Sequence, residues 1–210
     1  MAKLTAVFGG TFDPVHRGHV EPLRALLDTG KVDEAIVIPA SQPVHRADTQ
    51  VSAAHRLAML RLAYANDDRV QISDIEISKQ RPSYTICTLR ELKHADPENH
   101  LCFVVGADWS ADVEKWYRVK EIAALAHLIV MNRPGSLLSA PTSKYFSQAS
   151  NFKDLRDKRA GLRFDFEGPE LDLSSTAIRK KLANSRADLW LSTAIPTDVY
   201  NYIKSNNLYQ

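Results

Sequence analysis

Cysteine is scarce in this chain: the 210 residues include two, Cys87 and Cys102, and neither belongs to a Cys-x-x-Cys pair. That excludes the usual structural-zinc and dithiol redox motifs. An excess of one charge is also missing, with 27 basic residues against 25 acidic and a formal net charge of +2. A nucleic-acid partner would want a marked basic surplus, and a membrane surface has no electrostatic claim on such a chain either. No apolar run approaches membrane-spanning length. The first residues lead into a strand-like segment, with no charged-then-apolar leader, so the chain reads as cytoplasmic.

What is present is an apolar fraction of 44%, enough for one sizeable core and one domain over residues 1–210. Short runs rich in Val, Ile and Phe predict buried strands at Leu4–Phe8, Ala35–Ile38, Val70–Ile72, Leu101–Val105 and His127–Met131, with Leu162–Phe166 a further candidate. Helical periodicity fills the gaps. Ser52 is a candidate cap for a helix with Leu57, Leu60 and Ala63 on one face, and Ser83 for another with Ile86, Leu89 and Leu92. Near the end, Pro196 suits a first helical turn, followed by Val199, Tyr202 and Ile203 at helical spacing. Such alternation predicts an α/β fold: a Rossmann-like open, mostly parallel sheet with helices on both faces. The polar stretch 132–161 reads as a peripheral insertion, part helix and part loop.

The chemistry concentrates in Gly9-Gly10-Thr11-Phe12-Asp13-Pro14-Val15-His16-Arg17-Gly18-His19, directly after the first strand. Two glycines permit a tight turn and close approach of a ligand. A helix opening there would offer free N–H groups and its dipole to an anion. Two imidazoles at that corner point to phosphate chemistry. A second anion corner lies at Leu173-Ser174-Ser175-Thr176-Ala177-Ile178-Arg179. Ser174 or Ser175 suits an N-cap, Ile178 and Leu182 face the core, and hydroxyls, backbone donors and the Arg179 guanidinium converge in a set suited to the β- and γ-phosphates of a nucleoside triphosphate.

Together, His16-x-Gly18-His19 after Gly-Gly-Thr-Phe-Asp-Pro, and Ser174-Ser175-Thr176-Ala177-Ile178-Arg179 some 155 positions later, resemble the paired signatures of the nucleotidyltransferase superfamily. Within it, the middle of the chain is similar to the bacterial nicotinate-nucleotide adenylyltransferases. Pro39-Ala40-Ser41-Gln42-Pro43-Val44-His45-Arg46 resembles a loop that in that family usually ends Pro-Pro-His-Lys; here Val44 stands for the second proline and Arg46 for the lysine. Pro82-Ser83-Tyr84-Thr85, Gly106-Ala107-Asp108, Trp116-Tyr117 and the strand leading to Arg133-Pro134-Gly135 match as well.

The resemblance implies the nucleotidyltransferase fold and transfer of AMP from ATP to nicotinate mononucleotide, giving deamido-NAD and pyrophosphate. It implies catalytic roles for His16, His19, Arg46 and Arg179. ATP would be bound by Gly9, Gly10, Thr11, Phe12, Gly18, Gly106, Asp108, Ser174, Ser175 and Thr176, and the mononucleotide by His45, Tyr84, Thr85, Trp116, Tyr117 and Arg133. Trp116 is suited to stack on a pyridine ring, and the helix opening near Tyr84 and Thr85 to hold its carboxylate. Mg²⁺ is expected to arrive with ATP, keeping mostly water ligands, with no protein metal cage. Self-association is left open. Two alternatives stand at this point: another adenylyl- or cytidylyltransferase acting on a phosphorylated small molecule, and a non-catalytic nucleotide-binding protein.

Overall fold

Alternation along each apolar strand sends neighbouring side chains to opposite faces of a sheet, and here both faces are covered. The computed structural model describes residues 2–41, 49–79, 83–107, 112–132, 143–169, 171–184 and 189–210. These form a seven-stranded sheet from β1 (Leu4–Gly10), β2 (Glu34–Pro39), β3 (Val70–Ile72), β4 (His100–Gly106), β5 (Ala126–Asn132), β6 (Ser147–Gln148) and β7 (Leu162–Glu167). Their order is β3-β2-β1-β4-β5-β7-β6 and every pairing is parallel. In β1, Ala6 packs on one face and Val7 on the other. In β4, Cys102 and Val104 oppose Leu101 and Val105, and in β5, Ile129 opposes Leu128 and Val130.

The first face is covered by α1 (Arg17–Asp28) through Val20, Leu23, Leu26 and Leu27. It is joined there by α2 (Ala53–Ala63) through Met59, Leu60 and Ala63. The second is covered by α3 (Thr85–Ala95) through Ile86 and Leu89 and by α4 (Val119–Leu125) through Val119, Ile122 and Ala123. Beyond these lie α5 (Phe152–Asp157), α6 (Ser175–Asn184), α7 (Leu189–Ala194) and α8 (Thr197–Ser205), the last placing Val199 and Ile203 in the first core. Cys102 is fully enclosed, and burial pushes its thiol well above the usual range.

Two helical expectations need correction. The buried face of α2 is Arg56, Met59, Leu60 and Ala63, with Leu57 only half-buried, so the stripe begins on an arginine. Ser83 does not cap α3: Tyr84 is the N-cap residue, and the Ser83 hydroxyl accepts the Ser41 N–H at 2.9 Å. Ser52 does cap α2, accepting from the His55 N–H. The described part of 132–161 adds β6 to the sheet edge beside β7 and buries Phe146, Ala149 and Leu155.

The chain leaves β1 toward β2 on one side and returns to β4 on the other. In open α/β sheets this switch point, at the carboxyl ends of the strands, is where ligands bind. Here it is flanked by Gly9-Gly10 at the end of β1 and Gly106 at the end of β4.

Candidate active site

The loop leaving β1 runs through Phe12 at a positive φ of 51° and a cis Asp13–Pro14 peptide to His16, the N-cap of α1. The His16 N–H donates to Nδ1 of His19 at 3.3 Å, closing the first turn in the manner of a capping box. A nitrogen that accepts from a backbone N–H carries no proton in that bond. In the neutral ring the bond therefore assigns the His19 proton to Nε2. The two imidazoles lie with ring centroids 3.8 Å apart, His16 buried and His19 half-buried. Phe12, 1% exposed, packs edge-on to His19 at 5.1 Å and to Phe8 at 5.5 Å. Its ring is therefore a seat for His19, enclosed by protein rather than presented to a ligand.

Sterics account for two of the glycines. A Cβ at Gly18 would stand 3.0 Å from Cε1 and Nδ1 of His16 and 3.3 Å from Cβ of Leu173. One at Gly10 would stand 2.9 Å from the Phe12 ring. At Gly106, by contrast, nothing lies within 4 Å of such an atom.

The C-terminal motif folds onto this loop. Ser174 caps α6, its hydroxyl accepting the Ala177 N–H at 3.2 Å, and Ile178 is fully buried. Ser175 Oγ donates to the Pro14 carbonyl at 3.1 Å, and Arg179 Nη1 donates to the Asp13 carbonyl at 2.7 Å. Arg179 Nη2 lies 3.3 Å from Thr176 Oγ1. The imidazole corner, the hydroxyls and the guanidinium thus meet at one carboxyl-end cleft.

On the other side of β1, Tyr84 and Tyr117 pair at 5.0 Å, and Trp116 meets Phe103 edge-on at 5.7 Å. Trp116 is half-buried and Tyr117 is 59% exposed, so aromatic surface remains open at this end of the sheet. Helix α3 starts at Thr85 with no side-chain cap from Tyr84, which leaves its first N–H groups to an anion. Arg46 and His45, Asp108 and Arg133 lie outside the described residues. Among the described residues no group of three or more His, Cys, Asp or Glu side chains is arranged to hold a metal ion, and no helix is long and apolar enough to cross a membrane.

Two residues behind the cleft escaped the sequence reading. Arg56, 1% exposed, donates from Nη1 to the carbonyls of Thr11 at 2.9 Å and Ala40 at 2.7 Å. Tyr209 donates to Asp13 Oδ1 at 2.7 Å, while Asp13 Oδ2 accepts the Gln50 N–H at 2.8 Å. Burial pulls the Arg56 pKa below its ordinary value against the pull of the Asp13 carboxylate. Burial and then the Asp13 bond push the Tyr209 phenol up, so its proton stays in place. The signal for Arg56 was available: it opens the i, i+3, i+4, i+7 row with Met59, Leu60 and Ala63.

Comparison with known proteins agrees with this geometry. A family model described as Cytidylyltransferase-like matches residues 7–181. A relative from Dechloromonas aromatica is 39% identical over 222 residues, covering 100% of this chain and 99% of its own. One from Chromobacterium violaceum is 39% identical over 215 residues, covering 100% of both. Both are named nicotinate-nucleotide adenylyltransferase. Among solved structures, a Plasmodium falciparum nicotinic acid mononucleotide adenylyltransferase complexed with NaAD superposes with a TM-score of 0.73. Its identity is 19%, and the match covers 99% of this chain and 97% of that one, a likeness of fold.

Proposed function

The chain belongs to the nicotinate-nucleotide adenylyltransferases of the cytidylyltransferase-like family, and from that premise we propose how its residues divide the reaction. It transfers AMP from ATP to the 5′-phosphate of nicotinate mononucleotide, forming deamido-NAD and releasing pyrophosphate, a step of NAD biosynthesis. We place this in the cytoplasm.

The acceptor phosphate is already an anion, so no strong base is required. One of its oxygens attacks the α-phosphorus in line, a new P–O bond forms, and the bond from that phosphorus to the α,β-bridging oxygen breaks. The electron pair leaves with pyrophosphate. Catalysis then rests on alignment and on donors aimed at the charge that builds on the phosphates. His19 Nε2–H is the donor we assign to the α-phosphate, with His16 beside it. Arg179, Ser174, Thr176 and the N–H groups at the start of α6, Ser175 among them, hold the β- and γ-phosphates, with Arg46 as a second cation. Mg²⁺ brought by ATP supplies charge neutralisation on the leaving pyrophosphate. For the acceptor, Trp116 is the aromatic platform, and the uncapped start of α3 at Thr85 is the carboxylate receptor.

The observation that carries this reading is the contact between the two motifs, Arg179 and Ser175 on the carbonyls of Asp13 and Pro14. The test is pyrophosphate release from ATP with nicotinate or nicotinamide mononucleotide as acceptor. The reading expects a higher kcat/KM for the acid. A preference for the amide overturns the acceptor assignment, and release with neither overturns the reaction.

A further inference from the structure

Between the histidine corner and the start of α3 lies a buried polar linkage with no part in the chemistry described so far. Arg56 sits on a helix face that otherwise carries Met59, Leu60 and Ala63. Enclosing a guanidinium there is costly unless its N–H groups and charge are answered. The terminal nitrogens are answered by backbone: Nη1 spans from Thr11 O, directly after the Gly9-Gly10 pair that closes β1, to Ala40 O, just past β2, and Nη2 lies 3.5 Å from Ser41 O, while Nε is buried with no hydrogen-bond partner among the described residues. The Ser41 N–H in turn donates to the Ser83 hydroxyl, next to the Tyr84 cap of α3. One side chain therefore links the loop that presents His19 to the segment that opens the mononucleotide side.

The charge is balanced from behind. Asp13 is 4% exposed, and its field acts on Arg56. Its carboxylate is held by Tyr209 on one oxygen and by the Gln50 N–H on the other, and its carbonyl receives Arg179. The Asp13 backbone and side chain thus connect the phosphate-binding arginine to the residues that flank 42–48 and to the segment after α8.

We propose that Arg56, with Asp13 and Tyr209, is a positioning unit that fixes the distance between the ATP corner and the mononucleotide subsite. The inference rests on the adenylyl-transfer reading. Arg56 is too enclosed to touch either substrate, so its loss should misalign the two reactants without weakening the binding of each alone. The guanidinium spreads its donors over two nitrogens, Nη1 on Thr11 O and Ala40 O and Nη2 beside Ser41 O, a span that one shorter-reaching ammonium nitrogen does not reproduce.

The experiment is steady-state kinetics on Arg56→Lys and Tyr209→Phe, with thermal unfolding of each. We expect Arg56→Lys to lower kcat about tenfold or more, with both KM values within about threefold of wild type and the protein folded at the assay temperature. Tyr209→Phe, which deletes one buried oxygen, should lower kcat by a smaller factor with the same unchanged KM values, and it decides the matter alone if Arg56→Lys does not fold. Wild-type kcat in either folded variant, a loss confined to KM, or a loss that tracks the unfolded fraction overturns the proposal. Wild-type protein that releases no pyrophosphate overturns the reaction and the positioning role together, whereas an active wild type with unaffected variants overturns the positioning role alone.

Discussion

Arg179 donates to the main-chain carbonyl of Asp13 at 2.7 Å across 166 positions of sequence. That single bond brings a helix near the end of the chain against the loop after the first strand. It makes the two anion corners parts of one cleft.

Arg179→Lys should raise the KM for ATP about tenfold, on the order of 1.4 kcal/mol, with a smaller change in the KM for the mononucleotide. The guanidinium already reaches Asp13 O and Thr176 Oγ1 and has donors left for phosphate, whereas an ammonium on a flexible stem replaces the fork with a point charge. Initial-rate measurements varying each substrate in turn check this.

His19→Ala should lower kcat by about two to three orders of magnitude, the scale for removing a donor aimed at developing charge. It should also cost about 1 kcal/mol of stability, because Nδ1 of His19 caps the His16 N–H. His19→Asn offers an oxygen to that N–H and no reach toward the phosphate. It should therefore recover stability and leave kcat low, as read by denaturant unfolding alongside turnover.

Gly18→Ala places a methyl group 3.0 Å from the His16 ring and 3.3 Å from Leu173. Either the imidazole or the approach to α6 must shift. We expect about a tenfold or greater loss of kcat/KM, since small displacements of aligned groups are costly. Gly106→Ala is the control with open space around it. It should leave the thermal midpoint unchanged and weaken ATP binding, measured by calorimetric titration.

Stability should fall on mild acidification. His127 is fully buried, with Nε2 donating to Lys158 O at 2.9 Å and Nδ1 accepting the Leu162 N–H at 3.2 Å. Burial above all pushes its pKa down to about 4. Above pH of about 6.5 the ring is neutral in the folded and unfolded chains and its contribution is intact. As pH drops from there toward 4 the unfolded chain takes up the proton first, and about 3 kcal/mol is lost. His127→Gln should flatten that part of the profile in denaturant unfolding between pH 7 and pH 4.5.

The central strands were legible because a parallel sheet covered on both faces needs continuous apolar runs, as Ala35–Ile38 and Leu101–Val105 show, while Val70–Ile72 and Leu162–Phe166, nearer the edges, were legible by alternation. Strand β6 left no such trace: Ser147 and Gln148 are both exposed at the sheet edge, so burial selects nothing apolar there. The phosphate corners were legible because glycine, hydroxyl and cation spacing is local chemistry. The burial of Arg56 was legible from its place in the row with Met59, Leu60 and Ala63, but its partners and those of Tyr209 were not, because they are backbone carbonyls and a carboxylate far away in sequence. Ser83 was misplaced for the same reason, its hydroxyl being claimed by Ser41 instead of its own helix. The Phe12 ring packs behind His19, a contact that only the folded loop reveals.

A crystal structure with a non-hydrolysable ATP analogue tests the central claim most directly. The account predicts an α-phosphate oxygen within about 3 Å of His19 Nε2 and the β- or γ-phosphate on Arg179 and the start of α6, in the same molecule of ligand. A triphosphate that touches one of these corners and leaves the other in solvent would contradict it.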